Sequence, residues 1–97
     1  MERVYSLLGF AAKMGKLSYG KERIRAYMRS NREKKLVILA KDASERTKKD
    51  IRIRADINGV DVLEAFTKEE LGKLLGKREI SVLAVEDDSI IDGIRGG

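Results

Sequence analysis

The sequence reads as an α/β protein: a three-layer α-β-α sandwich around a mostly parallel central sheet of about four strands. Two observations lead there. Leu36-Val37-Ile38-Leu39-Ala40 and Ile80 to Val85 are unbroken or nearly unbroken apolar runs, too short for helices and rich in β-formers, as strands covered on both faces should be. The segments between the runs carry apolar residues at helical spacing, so strands and helices alternate. No internal repeat, low-complexity tract or proline interrupts the 97 residues, so residues 1–97 are expected to form one domain.

Residues 2–14 predict the first helix, with Val4, Leu7, Leu8, Ala11 and Ala12 on one face, Phe10 near its edge and Gly15 past its end. Lys16-Leu17-Ser18 is a short extended link. A second helix follows from about Gly20 to Ser30, burying Ile24, Tyr27 and Met28, and Asn31 opens a charged loop before the strand at 35–40. Asp42 or Ser44 caps a third helix over about 44–56 that buries Thr47, Ile51 and Ala55 and turns Arg46, Lys48, Lys49, Arg52 and Arg54 outward. Ile53 lies off its buried face. After the Asn58-Gly59 turn, Val60 to Leu63 reads as a strand ending at Glu64. Thr67-Lys68-Glu69-Glu70 is a full capping box, opening a helix that buries Leu71, Leu74 and Leu75 and stops at Gly76. Gly72 and Gly76 read as a helix-packing and helix-stop pair. Lys77-Arg78-Glu79 leads into the last strand, Asp87 or Asp88 starts a final helix with Ile90, Ile91 and Ile94, and residues 95–97 should fray.

Composition excludes much. With no Cys and no His there is no disulfide, no thiolate and no histidine base or metal ligand. The dinucleotide glycine pattern and the phosphate-loop pattern are both absent, and no base stands ready to activate Ser44 or Ser81. Glu86, Asp87 and Asp88 form an acidic cluster that reads as a helix start rather than a metal site. The chain is therefore expected to be no enzyme and to need no cofactor or metal. No apolar run reaches the roughly 20 residues of a membrane span, and the first residues are amphipathic rather than signal-like, so a cytoplasmic protein is expected.

Charge points to a partner. Residues 1–54 hold 16 Lys and Arg against 6 Asp and Glu, a net +10, whereas residues 55–97 hold 5 against 10, a net −5. A basic half of this size is the footprint of a polyanion, most often nucleic acid. Leu17 to Asp42 concentrates it: Gly20, then Lys21, Glu22, Arg23 and Arg25 in the opening turns of a helix whose free amides favour phosphate. Glu22 is the odd member. Phosphate repels it, so it either accepts from a base amino group or forms an i, i+3 bridge to Arg25. In a parallel sheet, Lys41-Asp42 and the Glu64–Thr67 loop would share the ligand-binding edge, while the Gly20 helix start and the Lys77–Ile80 loop need not lie there.

Three blocks carry a resemblance over nearly the whole chain: Leu8-Gly9-Phe10-Ala11 with Gly15-Lys16-Leu17; Lys35 to Ser44 followed by Thr47-Lys48-Lys49; and Thr67 to Gly72 with Gly76-Lys77. In these the chain resembles the kink-turn RNA-binding ribosomal protein superfamily of the large-subunit 7Ae and 30e type, and most of all its bacterial YlxQ-like members. The resemblance implies an α-β-α sandwich that binds structured RNA. In the RNA-binding members a Gly-x-Asn-Glu-x-x-Lys motif opens the second helix and enters the major groove at sheared G·A pairs, and a loop before the last strand covers a flipped-out nucleotide. Carried over, Lys21 falls at the Asn position, Glu22 at the Glu and Arg25 at the Lys, with Gly20 beside them. Lys41 and Asp42 fall on the strand-end loop of the same site, and Lys77, Arg78, Glu79 and Ile80 on the covering loop. The chain departs from the pattern in three places: Lys21 replaces an amide, Tyr19 stands where glycine is expected, and the covering loop is charged apart from Ile80. Sequence-independent phosphate contact survives all three changes. The implied partners are structured RNA, ribosomal RNA first, and ribosomal proteins, with no membrane, the chain acting as a monomer. The alternative is a protein-interaction adaptor that keeps the fold and docks through the acidic half without reading RNA.

Overall fold

The computed structural model describes residues 1–96. Five helices and four strands alternate: α1 (Glu2–Lys13), β1 (Leu17–Tyr19), α2 (Lys21–Arg29), β2 (Leu36–Leu39), α3 (Glu45–Asn58), β3 (Asp61–Glu64), α4 (Lys68–Leu74), β4 (Val82–Val85) and α5 (Asp88–Gly96). The order matches the periodicity of the sequence. Ser44, not Asp42, caps α3, its hydroxyl accepting from the Thr47 N–H at 3.1 Å. The Thr67–Glu70 capping box closes both ways. At α5, Asp87 accepts from the Ile90 N–H. Arg95 and Gly96, expected to fray, continue α5, and Gly97 lies outside the described residues. The third helix runs past its expected end to Asn58; Ile53, off the buried face as expected, and Ile57 in the added turn are exposed apolar side chains, at 50% and 77% accessible.

The sheet corrects one expectation. Its order is β1-β4-β2-β3, and only β2 and β3 run parallel. β4 lies antiparallel to both neighbours, with Val85 opposite Leu17 on one side and Leu36 on the other, so the sheet is mixed rather than mostly parallel. The apolar runs report burial on two faces, and that burial is the same whichever way a strand points. Direction is set by the β3–β4 connection. Short α4 doubles back: the Ile80 N–H donates to the Lys68 carbonyl at 3.0 Å, so the chain re-enters the sheet at the end where β3 left it. No crossover intervenes, and β4 must run the other way.

Every residue of β2 is buried, and alternate side chains point to opposite faces, so helices cover both. α1 packs on α4 and α5, and α2 packs on α3. Leu8, Met28, Ile38, Leu39, Leu71, Leu83 and Ile91 are fully buried and fill the space between the layers. The hydroxyl that Tyr27 brings into the core is satisfied. The Tyr27 hydroxyl donates to the Val85 carbonyl at 2.5 Å and accepts from the Leu36 N–H at 2.8 Å, so α2 is bolted to the register of β2 and β4.

Candidate nucleic-acid interface

The antiparallel course of β4 assembles one edge of the molecule. It brings the loop that precedes β4 to the end of the sheet where β1, β2 and β3 finish, because Tyr19 pairs with Leu83 and Leu39 with Val82. The Gly20 helix start and the 77–80 loop, which the parallel reading could not place together, meet there. A groove of about 530 Å³ opens between them. Tyr19, Gly20, Lys21 and Arg25 line it from β1 and α2, Arg46, Thr47, Asp50 and Ile51 from α3, and Glu79, Ile80, Ser81 and Val82 from the approach to β4.

Gly20 takes φ 96°, a conformation other residues rarely adopt, and turns the chain straight from β1 into α2. No side chain among the described residues caps this helix, so its first amides and the positive end of its dipole are left open. Arg25, one turn in, is partly buried, and its Nε has no hydrogen-bond partner among the described residues. Neither carboxylate lining the groove is paired with it: Asp50 is held by Arg54 at 3.1 and 3.2 Å, and Glu79 forms no ion pair among the described residues. Among the described residues, Lys21, Arg25, Arg46 and Lys77 form no ion pair. Lys77 instead stands over the Tyr19 ring, its Nζ 5.8 Å from the centroid.

At the opposite end of the sheet three cations are paired. Arg32 bonds Asp88 at 2.7 Å, Lys34 bonds Asp92 at 2.6 Å and Arg95 bonds Asp61. At the groove end of β3, outside the groove lining, Glu64 accepts from Arg52 and Lys48, and these hydrogen bonds, Arg52 first, hold its carboxyl below the ordinary 4.5. The acidic cluster is likewise taken up within the chain. Ser18 donates to Glu86, Asp87 caps α5 and Asp88 holds Arg32. Among the described residues no group of three or more acidic side chains could hold a metal ion.

The structure brings Gly20, Lys21, Arg25, Glu79 and Ile80 together at the groove, with Lys77 beside it. Glu22 is exposed and outside the lining, and among the described residues it forms no bridge to Arg25. Arg78 is exposed on the loop, also outside the lining. Lys41 and Asp42 lie apart. Lys41 borders a second hollow with Tyr5, Phe66 and Glu70, and Asp42 accepts from the Lys68 N–H at 2.8 Å at the start of α4. Arg46, Thr47 and Asp50, not among the site residues the sequence singles out, also line the groove. The sequence places Arg46 on an outward face of α3, and only the packing of α2 on α3 turns that end of the helix into a wall.

The family model described as the ribosomal protein L7Ae/L30e/S12e/Gadd45 family matches residues 2–92. The chain is 36% identical over 76 residues to the RNA-binding protein YlxQ of Enterococcus faecium, covering 78% of this chain and 73% of that one. A solved structure of a Bacillus halodurans protein of unknown function superposes with a TM-score of 0.86 at 30% identity, over 97% of this chain and 94% of the other. The 15.5kD RNA-binding protein of Giardia lamblia shares the fold, with a TM-score of 0.75 at 19% identity over 97% of this chain and 80% of its own.

Proposed function

The chain belongs to the ribosomal protein L7Ae/L30e/S12e/Gadd45 family, and on that premise we propose that it is a non-enzymatic RNA-binding protein that grips structured, kink-turn-like RNA through the groove between α2, α3 and the 77–80 loop. One observation carries the reading: among the described residues Lys21, Arg25, Arg46 and Lys77 stand around the groove without an ion pair, and the buried Nε of Arg25 has no hydrogen-bond partner. Guanidinium and ammonium groups left without ion pairs on a folded chain are groups an outside anion can complete. The α2 amides, Lys21, Arg46 and Lys77 take phosphates. Arg25, with its Nε unfilled, takes a phosphate or a guanine edge, and Glu22 accepts from a base amino group. The name of the Enterococcus faecium relative supports the partner class.

The adaptor reading needs a free acidic face. Of the ten acidic residues from 55 to 97, Asp61, Glu64, Asp88 and Asp92 are drawn into ion pairs within the chain, which leaves less of that face free. We place the protein in the cytoplasm with the ribosome; no helix among the described residues is long and apolar enough to cross a membrane.

The test is a binding series on a kink-turn RNA and a plain duplex of equal length over increasing salt. A preference for the kink-turn that persists at high salt is expected, because base contacts resist screening and phosphate contacts do not. Equal affinities that fall together would reduce the groove to a basic surface without specificity.

A further inference from the structure

The outer face of α1 plays no part in the groove. Leu7, Phe10 and Met14 recur at i, i+3 and i+7, so they form one stripe down the helix. Leu8 and Ala11 are the residues of α1 that reach the core. Phe10 and Met14 are 58% and 51% accessible and Leu7 is half-buried, so the stripe meets water. Phe10, expected near the edge of the buried face, thus stands outside it. Where α5 packs on α1, Gly93 brings no side chain over Leu7; a Cβ there would lie 3.2 Å from the Leu7 Cδ1. Cations border the stripe: Arg3 one turn before Leu7, Lys13 beside Met14 and Lys16 just past the helix. All three are exposed and, among the described residues, form no ion pair. α1 carries one carboxylate, Glu2, in its first turn.

A single exposed apolar side chain is ordinary, but a row of them at helical spacing, edged by unpaired cations, is a surface that a second helix fits. We propose that the outer face of α1 docks an acidic amphipathic helix of a protein partner, whose apolar residues lie along Leu7, Phe10 and Met14 and whose Asp and Glu residues meet Arg3, Lys13 and Lys16. The ring of Phe10 supplies a large apolar area, and the flexible thioether of Met14 adapts to the side chains it meets. Charge selects the occupant. A second copy joined through this same face would set Arg3, Lys13 and Lys16 against their own kind, with Glu2 alone in opposition. A nucleic-acid backbone would satisfy the cations but leave the stripe in water. No residue of this face lines the groove, so the protein can hold a partner helix and RNA at once.

The probes are short fluorescent model helices: one with a leucine stripe and glutamate flanks, one with the same stripe and lysine flanks, and one with the residues of the first shuffled so that they share no face. Wild type is expected to bind the glutamate-flanked helix most tightly. Phe10→Ala should weaken that binding about 30-fold, the effect of losing an aromatic anchor at the centre of an interface. Arg3→Glu combined with Lys13→Glu should reverse the preference between glutamate and lysine flanks. Saturating kink-turn RNA should leave the peptide affinity unchanged. Wild type binding the shuffled peptide as tightly as the glutamate-flanked helix, or Phe10→Ala leaving the affinity unchanged, overturns the docking site. Equal affinity for glutamate and lysine flanks overturns the acidic partner. RNA that displaces the peptide moves it to the groove and overturns the site too. Dimerisation or binding to anionic vesicles that needs Phe10, with no peptide bound, gives the stripe to a second copy or to a lipid surface instead. Failure of the kink-turn RNA to bind overturns the RNA-binding reading and leaves the peptide results standing.

Discussion

The backbone of Lys77 crosses Gly72 so closely that its N–H donates to the Gly72 carbonyl at 2.9 Å, while a Cβ at position 72 would lie 2.6 Å from the Lys77 carbonyl oxygen. The Arg78 carbonyl carbon and oxygen would follow at 2.9 Å. The loop that borders the groove is thus seated on a bare patch of helix.

Gly72→Ala pits two effects against each other. Alanine favours a helix interior by about 1 kcal/mol. Overpacking costs about 1–3 kcal/mol, and here the obstacle is backbone, which cannot rotate aside as a side chain does. The clash wins. The urea midpoint is expected to drop and RNA affinity to fall with it, because the 77–80 loop must lift. A variant as stable as wild type would show that the loop seats itself by other means.

Removing single cations should be read in the salt dependence of RNA binding. Lys21→Ala, Arg46→Ala and Lys77→Ala are each expected to flatten the slope of log K against log salt by about 0.7–0.9 for each phosphate lost. Arg32→Ala is the control, since Arg32 is spent on Asp88 and on the face of Tyr27, 5.7 Å from its ring centroid. If Arg32→Ala changes the slope as much as Lys21→Ala does, the groove is not where the phosphates lie.

Glu22 separates reading from gripping. It is exposed, unpaired with Arg25 among the described residues, and set in the first turn of α2. Glu22→Ala is expected to leave kink-turn affinity unchanged or lower while raising affinity for plain duplex, as a repulsive carboxylate goes. Competition between the two RNAs measures this. An unchanged ratio would assign Glu22 to solvent.

Tyr27→Phe leaves the Leu36 N–H and the Val85 carbonyl buried without their partner, at a cost of about 1–3 kcal/mol. Burial, more than any neighbouring charge, raises the Tyr27 hydroxyl above its ordinary 10.0. The protonated phenol is thus favoured in the folded state. The stability it contributes is full below pH 10.0 and is lost as the pH rises through the folded value. Unfolding followed across that alkaline range should show a steeper loss in wild type than in Tyr27→Phe. Tyr5, raised by burial and by Glu70, leaves some slope in both.

Most of the fold is legible in the chain because caps and periodicity are local. The Thr67-Lys68-Glu69-Glu70 box and the spacing of Thr47, Ile51 and Ala55 need no distant partner to be read. Strand direction is not local. Leu36–Leu39 is equally apolar in a parallel and a mixed sheet, and the decision rests on Ile80 bonding back to Lys68. The site divides the same way. Gly20, Lys21 and Arg25 announce a helix start by themselves. Arg46 and Asp50 join the groove only because α2 packs on α3, and Lys41 and Asp42 leave it because Asp42 turns to the amide of Lys68.

The ion pairs Arg32–Asp88, Lys34–Asp92 and Arg95–Asp61 have a kinetic consequence. They gather Asp61, Asp88 and Asp92 at the end away from the groove, while Lys21, Arg25, Arg46 and Lys77 stand around it without ion pairs among the described residues, so the charges set up a dipole moment along the sheet. In the field of a polyanion that moment is a torque, which turns the groove forward before contact. Productive encounters are then a larger share of all collisions, and association quickens at low ionic strength while the lifetime of the complex stays with the contacts in the groove.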